Sequence, residues 1–206
     1  MISEGVVVLG AGGHSKVAIS TLQAAGIHAQ AVLDDDPQKW NTEILGVKIL
    51  GPIDTESLRD FSCGVIAIGE NPIRKEVANR IQLRWITVVH PAAYVHSSVR
   101  LGPGTIVFAG AIIQPGTEIG EHVIVNTGAT IDHDCSIADF AHVCPGVHLA
   151  GGVTVGEGTL LGICSCAIPR IRIGSWSLVG AGSAVVRDLP DGVVAAGIPA
   201  RTLRAK

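Results

Sequence analysis

Large rings are scarce in this chain, which holds three Phe, three Trp and one Tyr among 206 residues. A core of that size ordinarily takes much of its bulk from such side chains. This one must be filled by Val, Ile, Leu and Ala around frequent backbone bends, for which 26 Gly and 10 Pro are available. Charge is low as well: 16% of residues are charged and the formal net charge is −3. That balance gives no reason to expect nucleic acid or an anionic membrane as partner. Disorder is excluded, because 47% of the residues are hydrophobic and disorder needs few of them with high net charge. A run long enough to span a bilayer is also missing. The longest charge-free stretches, 101–117 and 140–156, reach 17 residues and contain Pro and Gly, so no transmembrane helix is expected. The start has Glu4 and no basic region, which argues against a signal peptide. Five cysteines, an odd number without a CxxC pair, suit neither a disulfide framework nor a thiolate zinc cage. Reduced thiols and a cytoplasmic location are expected.

What is present is a repeat. From Val89 to Val185 an aliphatic residue recurs every six positions, 17 times in succession, and only Ala167 is small. The residue four places further on is mostly small or β-branched, as at Val99, Thr105, Ala111 and Thr117. A six-residue unit is too short for a helix pair and fits neither a 3.6 nor a 2.0 period. It suits one short flat strand and a corner, repeated around a prism. Three units close one triangular coil, stacked on the next at about 4.8 Å. The interior of such a prism is narrow, which accounts for the shortage of rings.

Residues 1–88 read differently. Strands are expected at Gly5–Leu9, Ala29–Leu33 and Gly64–Ile68, and helices at Val17–Ala25 and from Ile73 to Leu83. Strands alternating with helices imply a small parallel, Rossmann-like α/β sheet. The division is therefore an α/β domain at 1–88 and a β-helix with a C-terminal tail at 89–206. The loop Gly10-Ala11-Gly12-Gly13-His14-Ser15-Lys16 has the logic of a nucleotide site: glycines let backbone approach phosphate, and the following helix offers free N–H groups. Acidic residues 22 positions beyond Gly12 stand where ribose hydroxyls are usually read. Ser15 stands where the third glycine of the dinucleotide fingerprint would be, and 88 residues hold half of a doubly wound fold, so one nucleotide is expected rather than NAD.

The segments GAGGHSK, LDDDP and AIGENPIRKEV, with HPAAYVHSSV, IDHDCSIADFAHV and LAGGVTVGEGTLLG, resemble one family from Val6 to about Arg204. It is the bacterial nucleotide-sugar N-acetyltransferases of the hexapeptide-repeat, left-handed parallel β-helix superfamily, in the sialic acid O-acetyltransferase-like subfamily. The resemblance implies acetylation of the 4-amino group of a nucleotide-linked 4-amino-4,6-dideoxy sugar, with acetyl-CoA as donor and direct transfer. It implies a homotrimer with active sites between neighbouring β-helices. It casts His133 as general base, Asp134 as the acid that orients it, His142 beside the thioester and Gly151 as an N–H donor to the acetyl carbonyl. Gly162, Ala181 and Arg201 are counted with the acetyl-CoA site. Gly10, Gly12, Gly13 and His14 would hold diphosphate and sugar, and Asp34, Asp35, Gly69 and Asn71 the nucleoside.

Spacing can be set beside these roles. An 18-residue coil stacks Gly151 on His133 and Gly152 on Asp134, which leaves a groove next to the base with an N–H nearby. His133 and His142 are half a coil apart and face opposite sides of the prism, so either they serve different purposes or they meet across a subunit interface. His90 is read as structural, and His28, His96, His122 and His148 as residues of a solvated face. The gaps among histidines 122, 133, 142 and 148 do not match the ligand spacing of the β-helical gamma-class carbonic anhydrases, and no metal is expected. No Lys or Arg lies between Leu101 and Pro169, whereas Arg170, Arg172, Arg187, Arg201, Arg204 and Lys206 crowd the end. Such residues bind phosphates well, so the tail is expected to dock the nucleotide end of CoA. The rival readings are a sialic-acid-type O-acetyltransferase and a non-catalytic nucleotide-sugar-binding scaffold.

Overall fold

A computed structural model describes residues 5–205. Glu4 and Lys206, on which two of the expectations above partly rest, lie outside the described residues. The first part is a six-stranded sheet in the order β3-β4-β2-β1-β5-β6. Its strands are β1 (Val6–Leu9), β2 (Ala29–Leu33), β3 (Glu43–Ile44), β4 (Val47–Gly51), β5 (Cys63–Ile66) and β6 (Arg84–Trp85), with helices α1 (Gly13–Ala24) and α2 (Asn71–Arg80). All pairings are parallel except β3 with β4. β1 is an unbroken apolar run, Val-Val-Val-Leu, buried throughout, as befits a central strand covered on both faces.

Both helices begin earlier than expected. α1 starts at Gly13 instead of Val17 because Ser15 is fully buried and its hydroxyl donates to Gly12 O at 2.5 Å, drawing the glycine loop into the first turn. This is also why a serine replaces the third glycine of the fingerprint. α2 starts at Asn71, two residues before Ile73, because Pro72 suits a first turn where no N–H is needed. It ends at Arg80, short of Leu83, as the chain turns into β6.

The rest is a left-handed parallel β-helix. Seventeen two-residue strands follow one another every six residues, from β7 (Val88–Val89) to β23 (Ala184–Val185). The expected division between 88 and 89 falls inside β7. Residues 18 apart pair directly, as Ile106 with Ile124 and Ile113 with Ile131. The strands form three faces: the first runs from β7 to β22 (Leu178–Val179), the second from β8 (Tyr94–Val95) to β23, and the third from β9 (Arg100–Leu101) to β21 (Arg172–Ile173). The interior column contains Val107, Ile113, Val125, Ile131, Val143 and Val155, and the cluster it belongs to holds no ring. Inward Thr side chains are tolerated because each is satisfied by the next coil. The Thr117 hydroxyl donates to Asp132 O at 2.8 Å and accepts from Cys135 N at 3.2 Å, and Thr105 and Thr159 repeat the pattern. The chain closes on an antiparallel pair, β24 (Val193–Gly197) and β25 (Ala200–Ala205), at the end of the first face.

The α/β part lies on the first face. Outward residues Val88, Ile106, Phe108 and Ile124 join Val8, Ile19, Leu22 and Val32 in one buried cluster. The first face is thereby covered, while the corner between the second and third faces stands opposite, free of the α/β part.

Candidate active site

A cavity of about 450 Å³ opens over the carboxyl end of β1, the usual ligand position in open α/β sheets. Gly10, Gly12, Gly13, His14, Asp34, Asp35 and Gly69 line it, with Ile53 and Glu70. Gly10 is at φ +103, and a Cβ there would lie 2.7 Å from Ile68 Cγ1, so only glycine lets the loop pass under the Ile68–Gly69 turn. α1 has no side-chain cap, which leaves its first N–H groups for an anion.

The two aspartates shape the other end. Asp34 accepts from Ala11 N at 2.6 Å, from Asp36 N at 2.9 Å and from Lys39 Nζ at 3.0 Å. Burial alone would raise its pKa, but the backbone donors and Lys39 outweigh burial and hold the carboxyl below the usual range. Asp35 accepts from Ile53 N at 2.8 Å and pairs with Arg80 at 3.3 Å. Asn71, expected with Gly69 at the nucleoside, does not line the cavity. Its side chain is buried at the junction, where Nδ2 donates to Gly158 O at 3.0 Å and Oδ1 accepts from Arg74 Nη2 at 2.7 Å. With both ends of its amide engaged at the junction, this side chain does not face the cavity, and that expectation is corrected for it; the same helix reaches the cavity through Ile73 and Val77.

On the far side of the prism, His133 occupies the corner between β14 (Thr130–Ile131) and β15 (Ser136–Ile137). Its Nδ1 is 2.8 Å from Asp134 Oδ2, and its backbone N–H donates to Asp132 Oδ1 at 2.8 Å. Asp134 sits at φ 57, in the left-handed region, where a short polar side chain is best tolerated. The hydrogen bond to Asp134, and then the charge of Asp132, raise the His133 pKa above 6.5. With Nδ1 turned to the carboxylate, Nε2 is left outward. Gly151 lies one coil away: a Cβ there would be 2.6 Å from both Cε1 and Nε2 of His133. Gly152 N–H donates to His133 O at 2.9 Å, locking the two coils in register.

Residues 5–81 match the family described as PglD N-terminal domain. The whole chain is similar to a solved mutant of perosamine N-acetyltransferase from Caulobacter crescentus, in complex with CoA and GDP-perosamine, at 41% identity over 96% of each chain and a TM-score of 0.90. It is similar to the acetyltransferase domain of PglB from Neisseria gonorrhoeae at 33% identity, over 97% of this chain and 100% of that one, also at 0.90. The chain belongs to the sugar N-acetyltransferase family. Among curated relatives, UDP-N-acetylbacillosamine N-acetyltransferase of Bacillus subtilis is 43% identical over 115 residues, 52% of each protein. The chain thus matches about half the length of that relative.

Within this family member the remaining expected residues fall in separate places. His142, on β16 (His142–Val143) of the first face, is 8% exposed. Its Nδ1 is 3.2 Å from Gly69 O and its Nε2 3.1 Å from Asn126 Nδ2. A carbonyl only accepts, so Nδ1 carries the proton and Nε2 accepts from the amide. Burial, then the charge of Arg74, push the His142 pKa down to about 4. His14, 5.9 Å away between ring centroids, is pushed to about 4 by the same two causes, and its Nε2 is buried without a partner among the described residues. Gly162 and Ala181 stand on the corner between the first and second faces. A Cβ on Gly162 would lie 2.6 Å from Ala181 N, so the glycine is needed for coil stacking. Arg201 is exposed on β25. Among the described residues no cluster of three or more His, Cys, Asp or Glu could hold a metal ion.

One expectation for a histidine is overturned. His122 is not on a solvated face: it is 2% exposed, stacked on Phe140 at 5.2 Å and edge-on to Trp85 at 5.0 Å, because α2 and β6 cover that corner. His148 is exposed, as expected, with its Nδ1 2.8 Å from Thr130 Oγ1 one coil away. Asn126 and Arg74 were not singled out in the sequence. Asn126 follows a column residue at a hexad position whose only signal is the 18-residue stack. Arg74 lies on the buried Asn71–Arg74–Val77 face of α2, a helical spacing that could have marked it.

Proposed function

We propose that this protein acetylates the 4-amino group of a nucleotide-linked 4-amino-4,6-dideoxy sugar, using acetyl-CoA, by direct transfer. The observation that carries the reading is the corner where Asp134, His133 and Gly151 converge. Nδ1 of His133 faces a carboxylate, Nε2 is outward, and the next coil is cut back to glycine beside it. His133 Nε2 takes the proton as the amine nitrogen attacks the thioester carbonyl. Asp134 fixes the tautomer and supports the imidazolium. The Gly151 N–H stabilises the oxyanion. When the C–S bond breaks, the CoA thiolate takes the proton back, and His133 is again neutral.

The cavity supports a nucleotide sugar through its glycine loop, the free start of α1 and the acids at its other end. It lies on the first face, however, and His133 on the opposite corner of the same prism. One copy cannot bring them together, so a homotrimer with sites between copies is the assembly that completes the chemistry. His142, with both ring nitrogens already engaged, would border the site from the cavity side, while Gly162 and Ala181 would border the donor groove from the adjoining corner. The exposed Arg201 and Arg204 would hold CoA phosphates. An α/β domain that ends before β7, a β-helix domain from β7 onward, a cytoplasmic location and a role in glycan biosynthesis complete the proposal.

A mass-spectrometric assay with acetyl-CoA and a panel of UDP-, GDP- and dTDP-linked amino sugars tests it. The expected result is N-acetylation of a 4-amino sugar, lost in His133→Ala. Transfer only to a hydroxyl of a sialic-acid-type sugar would favour the O-acetyltransferase reading, and absence of CoA binding by calorimetry the scaffold. Arg201→Ala with Arg204→Ala should weaken CoA binding, and an unchanged affinity would remove the tail from the donor site.

A further inference from the structure

Arg74 is 1% exposed and, among the described residues, the only buried Asp, Glu, Lys or Arg. Its guanidinium meets no carboxylate. It donates to the carbonyls of His122, Ile68, Gly69, Phe140 and Ala141 and to the amide oxygen of Asn71, at 2.7–3.4 Å. Every donor is satisfied, yet the charge is not, and a buried charge without a counter-ion is costly. Two of those carbonyls, Ile68 and Gly69, belong to the turn that lines the cavity opposite Gly12, Gly13 and His14. The acids of the lining do not answer this charge: Asp34 is paired with Lys39 and Asp35 with Arg80, and Glu70 is exposed at the rim. The end where a nucleoside would lie thus holds acids already paired with cations, Lys39 in the lining among them, whereas behind the end where its phosphates would lie stands a buried cation without a carboxylate. The effect of that cation on the His14 and His142 rings is consistent with a field reaching the loop.

We propose that Arg74 is the built-in counter-charge for the diphosphate of the nucleotide sugar, acting from beneath the Ile68–Gly69 turn without touching the ligand. It also ties that turn to the β-helix, so it is a positioning residue whose charge, and not only whose hydrogen bonds, is used. This rests on the nucleotide-sugar reading of the cavity.

The test is the ratio of affinities for UDP over uridine, and GDP over guanosine, measured by calorimetry. Three variants are compared with the wild type: Arg74→Met, Arg74→Lys and Asn71→Asp. The last places a carboxylate where the amide oxygen now meets Nη2, which offsets the charge of Arg74 and gives up the bond that Asn71 Nδ2 donates to Gly158 O. If Arg74→Met does not fold, Asn71→Asp carries the test. The expected result is a diphosphate preference that falls by about tenfold in Arg74→Met and Asn71→Asp, and is largely kept in Arg74→Lys. An unchanged ratio in folded Asn71→Asp, or an Arg74→Lys as defective as Arg74→Met, would overturn the counter-charge and leave a structural staple. A wild type without any preference for the diphosphates would overturn the cavity reading itself and this inference with it.

Discussion

The His133 ring is set by three neighbours of different kinds: a carboxylate on Nδ1, a carboxylate on its own backbone N–H, and a glycine one coil away. The carboxylates and the glycine make separate predictions. Because Asp134 and Asp132 raise its pKa above 6.5, the neutral base is depleted sooner on acidification than for an unperturbed imidazole. The pH profile of kcat/KM should show a limb that falls below a pKa above 6.5, and Asp134→Asn should move that limb to lower pH while reducing the rate. A limb unmoved by Asp134→Asn would separate the two residues functionally. In Gly151→Ala the added methyl would meet the ring at 2.6 Å, so the ring must turn. Activity should drop by 10-fold or more, on the order of what a displaced base costs, with little change in thermal stability. Wild-type activity would show that the ring position is not used.

At the scale of elements, the hexad register was legible because every coil repeats the same demand for an aliphatic side chain in a narrow interior. What was not legible depended on contacts distant in sequence. The β3–β4 hairpin turns at Leu45 and Gly46, both at positive φ (50 and 79). A leucine there is no turn signal, since Asn, Asp or Gly is what such turns favour, and both strands went unrecognised. Gly13 is a poor helix former, so α1 was placed four residues late. Arg74 carries a charge on a helix, which ordinarily marks a solvated face. Only the β-helix carbonyls that receive it explain its burial. Of the candidate site, spacing showed the stacking of Gly151 on His133, whereas the roles expected of His133, Asp134 and Gly151 came from the family resemblance. The separation of the cavity from His133 needed the covered face. The junction also titrates. Burial, then Arg74, hold His14, His122 and His142 near 4 in the folded chain, against about 6.5 unfolded. The unfolded state therefore binds more protons between those values, and stability is full above about 6.5 and declines as pH falls toward 4. Urea unfolding midpoints at three pH values across that window should fall with acidification. A flat midpoint would mean these rings are not neutral at the junction.

For the whole molecule, the shortage of rings and the shape of the site have one origin. A prism packed with Val, Ile, Leu and Ala leaves no internal pocket, so chemistry must lie on its outside. The α/β part covers one face, and His133 stands on the corner opposite. The proposed reaction thus requires that the cavity of one copy be served by His133 of another. Complementation measures this most directly. His133→Ala lacks the base, and Gly12→Asp puts a negative side chain into the phosphate end of the cavity. Each should be inactive alone. Refolded together in equal amounts, they should regain up to about a quarter of the wild-type acetylation rate, the share of randomly mixed interfaces that join an intact cavity to an intact base. No recovery from a mixture shown to exchange subunits would contradict the shared site.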